Sequence, residues 1–96
     1  MISLASRVRL APKARLRFDE RSGKHMLLYP ERGLELTDTA ARIVELCAGK
    51  ARAAGDIVDI MVTAAANTPR ERIESEVLAF LRSLEERGLL VIGGES

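Results

Sequence analysis

From Arg15 to Leu36 the chain falls into three short apolar–polar segments, and from Asp38 onward its apolar residues recur at helical spacing. Arg15-Leu-Arg-Phe-Asp19 alternates strictly, the pattern of a half-buried strand. Glu20 to Lys24 supplies a turn in which Gly23 can take a positive φ, and His25-Met-Leu-Leu-Tyr29 then reads as the returning strand of a hairpin. Pro30 has no N–H to give to a sheet, so Pro30-Glu31-Arg32 is predicted to turn again. Gly33-Leu-Glu-Leu36 follows as a short third strand at an edge.

Three helices are predicted next. Thr37 or Asp38 can cap the first, whose apolar stripe is Ala40, Ile43, Val44 and Cys47, and Gly49 stands where a helix ends. Asp56 is the expected cap of the second, with Ile57, Ile60, Met61 and Ala64 on its apolar face. Thr68-Pro69-Arg70-Glu71 has the form of a capping box with proline at the first helical position. The third helix should therefore bury Ile73, Val77, Phe80, Leu81 and Leu84 and stop at Gly88. Leu89-Leu-Val-Ile92 is too apolar for a loose end and is expected to pack as a short extended segment.

Residues 1–14 hold Pro12 and scattered basic residues without a sustained period, which predicts a flexible basic arm. The domain proper is then 15–92, with 93–96 as a tail. Strands first and helices after make an α+β domain: a small three-stranded antiparallel sheet followed by a three-helix bundle, winged-helix-like in its parts.

Composition narrows the function. Among 96 residues the aromatics are Phe18, Tyr29 and Phe80, so the core has to be aliphatic. The apolar runs are far shorter than the ~20 residues a membrane span requires, and the first residues lack the plan of a signal peptide. With a single cysteine there is no intramolecular disulfide, and a cytoplasmic protein is expected, with no membrane partner. Residues 1–24 carry seven basic and two acidic side chains, a net of +5, and the rest of the chain has a net of −4. The basic segment would draw an acidic ligand. Residues 69–87, the helix that would read DNA in a winged helix, hold four arginines and five glutamates, which argues against a nucleic-acid partner.

The residues needed for catalysis are missing from the pattern. A metal site needs three or four ligands, whereas His25 and Cys47 are the chain's one histidine and one cysteine and fall on different predicted elements. A nucleophile–base–orienter set has only that histidine to draw on, and there is no glycine-rich phosphate loop. Asp19-Glu20 enters a turn and Glu85-Glu86 sits beside Arg82 and Arg87, places for solvated charge rather than for an acid–base pair. The chain is expected to be no enzyme, with no catalytic residue, no metal and no cofactor.

Taken together, Leu27-Leu-Tyr-Pro-Glu-Arg32, Leu34-x-Leu36, Ala40-Ala41-x-Ile43, Leu46-Cys-x-Gly49, Asp56-Ile57-Val58, Val77-x-x-Phe80-Leu-x-x-Leu84 and Gly88-Leu-Leu90 resemble the PqqD family of pyrroloquinoline quinone (PQQ) biosynthesis. The resemblance runs from about Pro12 to Leu90. It departs at Phe18-Asp19 and at His25-Met26, where the family often has tryptophan, and in the length of the Ala64–Thr68 link.

The resemblance implies a cytoplasmic peptide chaperone, a recognition element for ribosomally made peptides. Such a protein binds the precursor peptide PqqA and presents it to PqqE, a radical S-adenosylmethionine enzyme. It also implies a site: the peptide adds as a strand along Gly33, Leu34, Glu35 and Leu36, and the third helix near Arg70, Ile73, Glu74 and Val77 forms the opposite wall. Arg15 and Arg17 are expected to hold carboxylates of the peptide. The competing reading from the element order is a winged-helix DNA-binding or protein-interaction module. An aliphatic free edge and a mobile arm leave both a monomer and a homodimer open.

Overall fold

Leu16, Leu27 and Leu34 stand opposite one another across three adjacent strands, and this apolar row fixes how the sheet meets the helices. The computed structural model describes residues 2–65 and 67–93. In chain order the elements are β1 (Arg7–Leu10), β2 (Arg15–Asp19), β3 (Lys24–Tyr29), β4 (Arg32–Leu36), α1 (Asp38–Cys47), β5 (Arg52–Ala53), α2 (Ala54–Ala64), α3 (Arg70–Glu86) and β6 (Leu90–Gly93). The described residues form two antiparallel sheets, β2-β3-β4 and β5-β1-β6. The inner face of the first sheet lies on α1. The α+β class and the predicted hairpins are present.

Residues 2–14, the described part of the expected arm, belong to the fold instead. Arg7-Val-Arg-Leu10 is the middle strand of the second sheet, paired with β5 on one side and β6 on the other. Val8 is fully buried, and Ile2, Leu10, Ala11 and Ala14 are buried with it. The period-2 signal was only four residues long and was masked by the exposed Arg7 and Arg9 between the buried positions. The terminal apolar segment is extended as expected; its partner is β1, and Leu89 and Leu90 are both buried. Gly93 ends β6, whereas the rest of the predicted tail and Ala66 of the Ala64–Thr68 link lie outside the described residues.

Helix starts follow the local code at α1 alone. Thr37 caps α1, its Oγ1 accepting the Ala40 N–H at 3.1 Å. Helix α2 begins two residues before the expected cap, Asp56, which falls in its first turn. Its leading N–H groups, those of Ala54 and Gly55, donate instead to the carbonyls of Ser6 and Leu4, both at 2.8 Å. The Thr68 capping box does not form either. Pro69 is itself the N-cap, extended at ψ 142°, and its carbonyl accepts from Arg72 at 3.1 Å and Ile73 at 3.2 Å. The C-terminal end of α3 is a Schellman motif: Gly88, at φ 75°, donates to Glu85, and Leu89 donates to Leu84. That motif turns the chain so that Leu89 enters the core.

Candidate functional site

Tyr29 pairs with Arg32, so only Pro30 and Glu31 connect β3 to β4. Proline followed by a residue at φ 65° is the plan of a type II turn, and Glu31 occupies the position that usually takes glycine. This tight turn leaves β4 as an edge strand, bonded to β3 on one side and to no strand on the other among the described residues. The chain stays extended through Thr37 before α1 begins.

At the end of β4 lies a groove of ≈460 Å³. Thr37 and Thr39 form its rim and Ile43 of α1 lies at its floor. Met61 of α2 lines one part, and Ile73, Val77 and Phe80 of α3 line another. Glu76 is the one charged residue that lines it, and its carboxylate accepts from Arg72 Nε at 3.1 Å. The fold thus has a free strand edge at β4 and a mostly apolar cleft that Thr37, the residue after β4, helps to line. Both features suit an extended peptide, whose backbone can pair with the edge while alternate side chains enter the cleft.

The structure gathers part of the expected site. Ile73 and Val77 line the groove. Leu34 and Leu36 face inward from β4, Leu36 buried and Leu34 packed against the core. Gly33 and Glu35 are exposed on the other face, where Glu35 meets Lys24 at 3.2 Å. Arg70 is turned to α2 and paired with Asp59, and neither Arg70 nor Glu74 lines the groove. Arg15 and Arg17 are on β2, at the opposite edge of the sheet from β4, so they are not brought to the groove.

Phe80 corrects the expected core. It is half-buried and forms part of the groove wall, while Ile73, Val77, Leu81 and Leu84 are the buried residues of α3. Sequence reasoning missed Ile43, Met61 and Phe80 as groove residues. The available signal was positional: Phe80 lies three residues after Val77 and seven after Ile73, on one line of the helix surface.

Among the described residues no three His, Cys, Asp or Glu side chains gather as a metal cluster. Burial pushes the Cys47 thiol up to about 11, with Arg52 pulling weakly the other way, so the group stays protonated at neutral pH. His25 Nε2 lies 3.6 Å from Asp38 Oδ1, and the ring packs against the exposed Phe18 at a tilt of 52°, centroids 4.9 Å apart. No helix among the described residues is long and apolar enough to cross a membrane.

Comparison with known proteins follows the same geometry. The family model described as coenzyme PQQ synthesis protein D (PqqD) matches residues 24–90. A PqqA binding protein of Rhodopseudomonas palustris (strain BisB5) is 39% identical over 95 residues, covering 99% of this chain and 91% of the relative. A PqqA binding protein of Bradyrhizobium diazoefficiens is 37% identical over 89 residues, covering 93% and 84%. The solution structure of the PqqD part of Methylobacterium extorquens PqqCD superposes with a TM-score of 0.79 at 31% identity, covering 95% of each chain. That protein is described as a functional, stand-alone recognition element for ribosomally synthesized and post-translationally modified peptides. A lasso peptide synthetase B1 complexed with its leader peptide superposes with a TM-score of 0.70 at 26% identity, covering 88% of this chain and 96% of that one.

Proposed function

The chain belongs to the PqqD family, and on that footing we propose that it binds the precursor peptide PqqA and presents it to the radical S-adenosylmethionine enzyme PqqE in PQQ biosynthesis. The observation that carries this reading is the free edge of β4 together with the groove walled by Ile73, Val77 and Phe80, which Thr37, the residue after β4, also lines. The relatives named PqqA binding proteins support the choice of peptide, and the lasso synthetase B1 complexed with the leader peptide supports peptide binding by this fold.

The physics is strand addition. Backbone N–H and C=O groups on the β4 edge hold any extended segment, and the groove selects among segments by accepting apolar side chains at every second position. The two-residue alternation also fixes register, because a slip of one residue would turn the apolar set out of the groove. The protein does no chemistry on the peptide; it contributes by raising the peptide's effective concentration at the enzyme.

Calorimetric titration with synthetic PqqA tests this directly. Thr39 is exposed on the groove rim, so Thr39→Trp fills the cleft without disturbing the core. The expected result is saturable binding by the parent, weakened about tenfold or more by Thr39→Trp. Equal binding by a folded Thr39→Trp protein would place the peptide elsewhere.

A further inference from the structure

The groove is not uniformly apolar. Along α3 it is lined by Ile73, Val77 and Phe80, and Glu76 stands among them as a single negative charge. No lysine, arginine or histidine lines it among the described residues. Arg70 pairs with Asp59 and Arg42 with Glu45, while Arg15 and Arg17 are at the far edge of the sheet. The Glu76 carboxylate is itself only partly satisfied. Oε2 accepts from Arg72 Nε at 3.1 Å, and Oε1 accepts from no protein donor among the described residues. Both partners of that pair are exposed, so it adds little to stability and is readily exchanged for another.

An extended peptide in the groove covers Glu76 from one side and takes water from Oε1. What the peptide offers there then decides its affinity. An apolar side chain leaves the carboxylate without its water, and an acidic one sets like charge against it. A lysine or arginine replaces the water with a charge-assisted hydrogen bond. The surroundings sharpen the choice, because a charge pair between apolar walls is screened less than one in open water. The shape fits too. Glu76 and Phe80 are one helical turn apart on the same line of α3, with about 5–6 Å between Cβ atoms. A lysine or arginine can lay its carbon stem on Phe80 and set its charged end on the carboxylate.

We propose that Glu76 is a specificity-determining residue of the groove, and that the bound peptide segment carries a lysine or arginine whose stem lies along Phe80 and whose charge meets the Glu76 carboxylate. This rests on the peptide-binding reading above and adds a charge to it. At the groove it is the protein that supplies the carboxylate, and the peptide the cation. The contact also closes a gap in register. Alternation alone forbids a slip of one residue but not of two, which returns the same face of the peptide to the groove. A single cationic position forbids the longer slip as well, since it would set an apolar side chain against Glu76.

Calorimetry with synthetic PqqA tests this on the parent, Glu76→Gln, Arg72→Gln and Glu71→Gln, with Thr39→Trp as the marker of the groove. Glu71 is exposed in the first turn of α3 and does not line the groove, so its variant controls for general loss of charge. PqqA is also titrated in versions that replace each lysine and each arginine in turn by glutamine. The expected result is a loss of about tenfold for Glu76→Gln, and a similar loss on the parent for one of the peptide replacements. Combined, the two changes cost no more than either alone, because they remove the two halves of one contact. Arg72→Gln binds at least as tightly as the parent, and Glu71→Gln binds like the parent. If the parent does not bind PqqA, or Thr39→Trp binds as the parent does, the groove reading fails and the proposal with it. If Thr39→Trp weakens binding and Glu76→Gln does not, the groove stands and the charge selection is wrong. Losses that add in the combined titration, no peptide replacement that matches Glu76→Gln, or an equal loss in Arg72→Gln or Glu71→Gln would also overturn it.

Discussion

The amide of Ala54 donates to the carbonyl of Ser6 at 2.8 Å, so the start of α2 is capped by the residue that leads into β1. The N-terminal segment is thereby part of the fold, and Val8, fully buried in the middle of its sheet, is the residue to probe. Val8→Ala is expected to lower stability by about 2 kcal/mol through lost burial and the cavity left behind. Chemical denaturation showing a loss under about 0.5 kcal/mol would return the segment to the status of an arm.

Phe80 and Leu81 are neighbours with different surroundings. Leu81 is fully buried, and Leu81→Ala should cost about 3 kcal/mol. Phe80 is half-buried on the groove wall, so Phe80→Ala should cost less, about 1–2 kcal/mol, while weakening peptide binding about tenfold. Denaturation curves and calorimetry on the two variants separate the roles. A Phe80→Ala protein with full peptide affinity would remove that residue from the site.

The contrast shows where local sequence stops being informative. The hairpins at Arg15–Leu36 and the ends at Gly49 and Gly88 were legible because alternation, turn chemistry and positive-φ glycines are local signals. Strand β1 and the starts of α2 and α3 were not. The cap of α2 comes from Ser6 and Leu4, far away in the chain, and Pro69 accepts the role that Thr68 was expected to take. Of the site, Ile73 and Val77 were readable from the helical stripe, but the groove joins three helices, so its lining depends on packing. Arg15 and Arg17 were grouped with the peptide by charge alone, and strand order puts them at the far edge of the sheet from β4.

Glu31 stands at φ 65°, a conformation that costs a side-chain-bearing residue about 1–2 kcal/mol and glycine far less. Glu31→Gly should raise stability by about 0.5–1 kcal/mol, part of the relief being offset by the greater backbone freedom of glycine in the unfolded chain. A measured fall in the urea midpoint would show that the turn relaxes differently.

Cys47 gives the pH dependence a definite sign. Its thiol is raised from 9.0 to about 11 by burial, so between these values the unfolded chain gives up a proton that the folded chain keeps. Stability contributed by the neutral thiol is intact below the lower value and is lost as pH rises toward the upper one, by an amount on the order of 2–3 kcal/mol. Parent and Cys47→Ala proteins denatured across this range should differ in slope, the parent losing more. Parallel curves would mean that the thiol is hydrated in the fold.

The most direct measurement of the central claim is amide-shift mapping of labelled protein titrated with PqqA. The account predicts shifts along Gly33 to Thr37 and at Ile73, Val77 and Phe80, with β2 little changed. Shifts confined to Arg7–Arg17, with β4 and α3 silent, would contradict it and place the peptide on the basic segment instead.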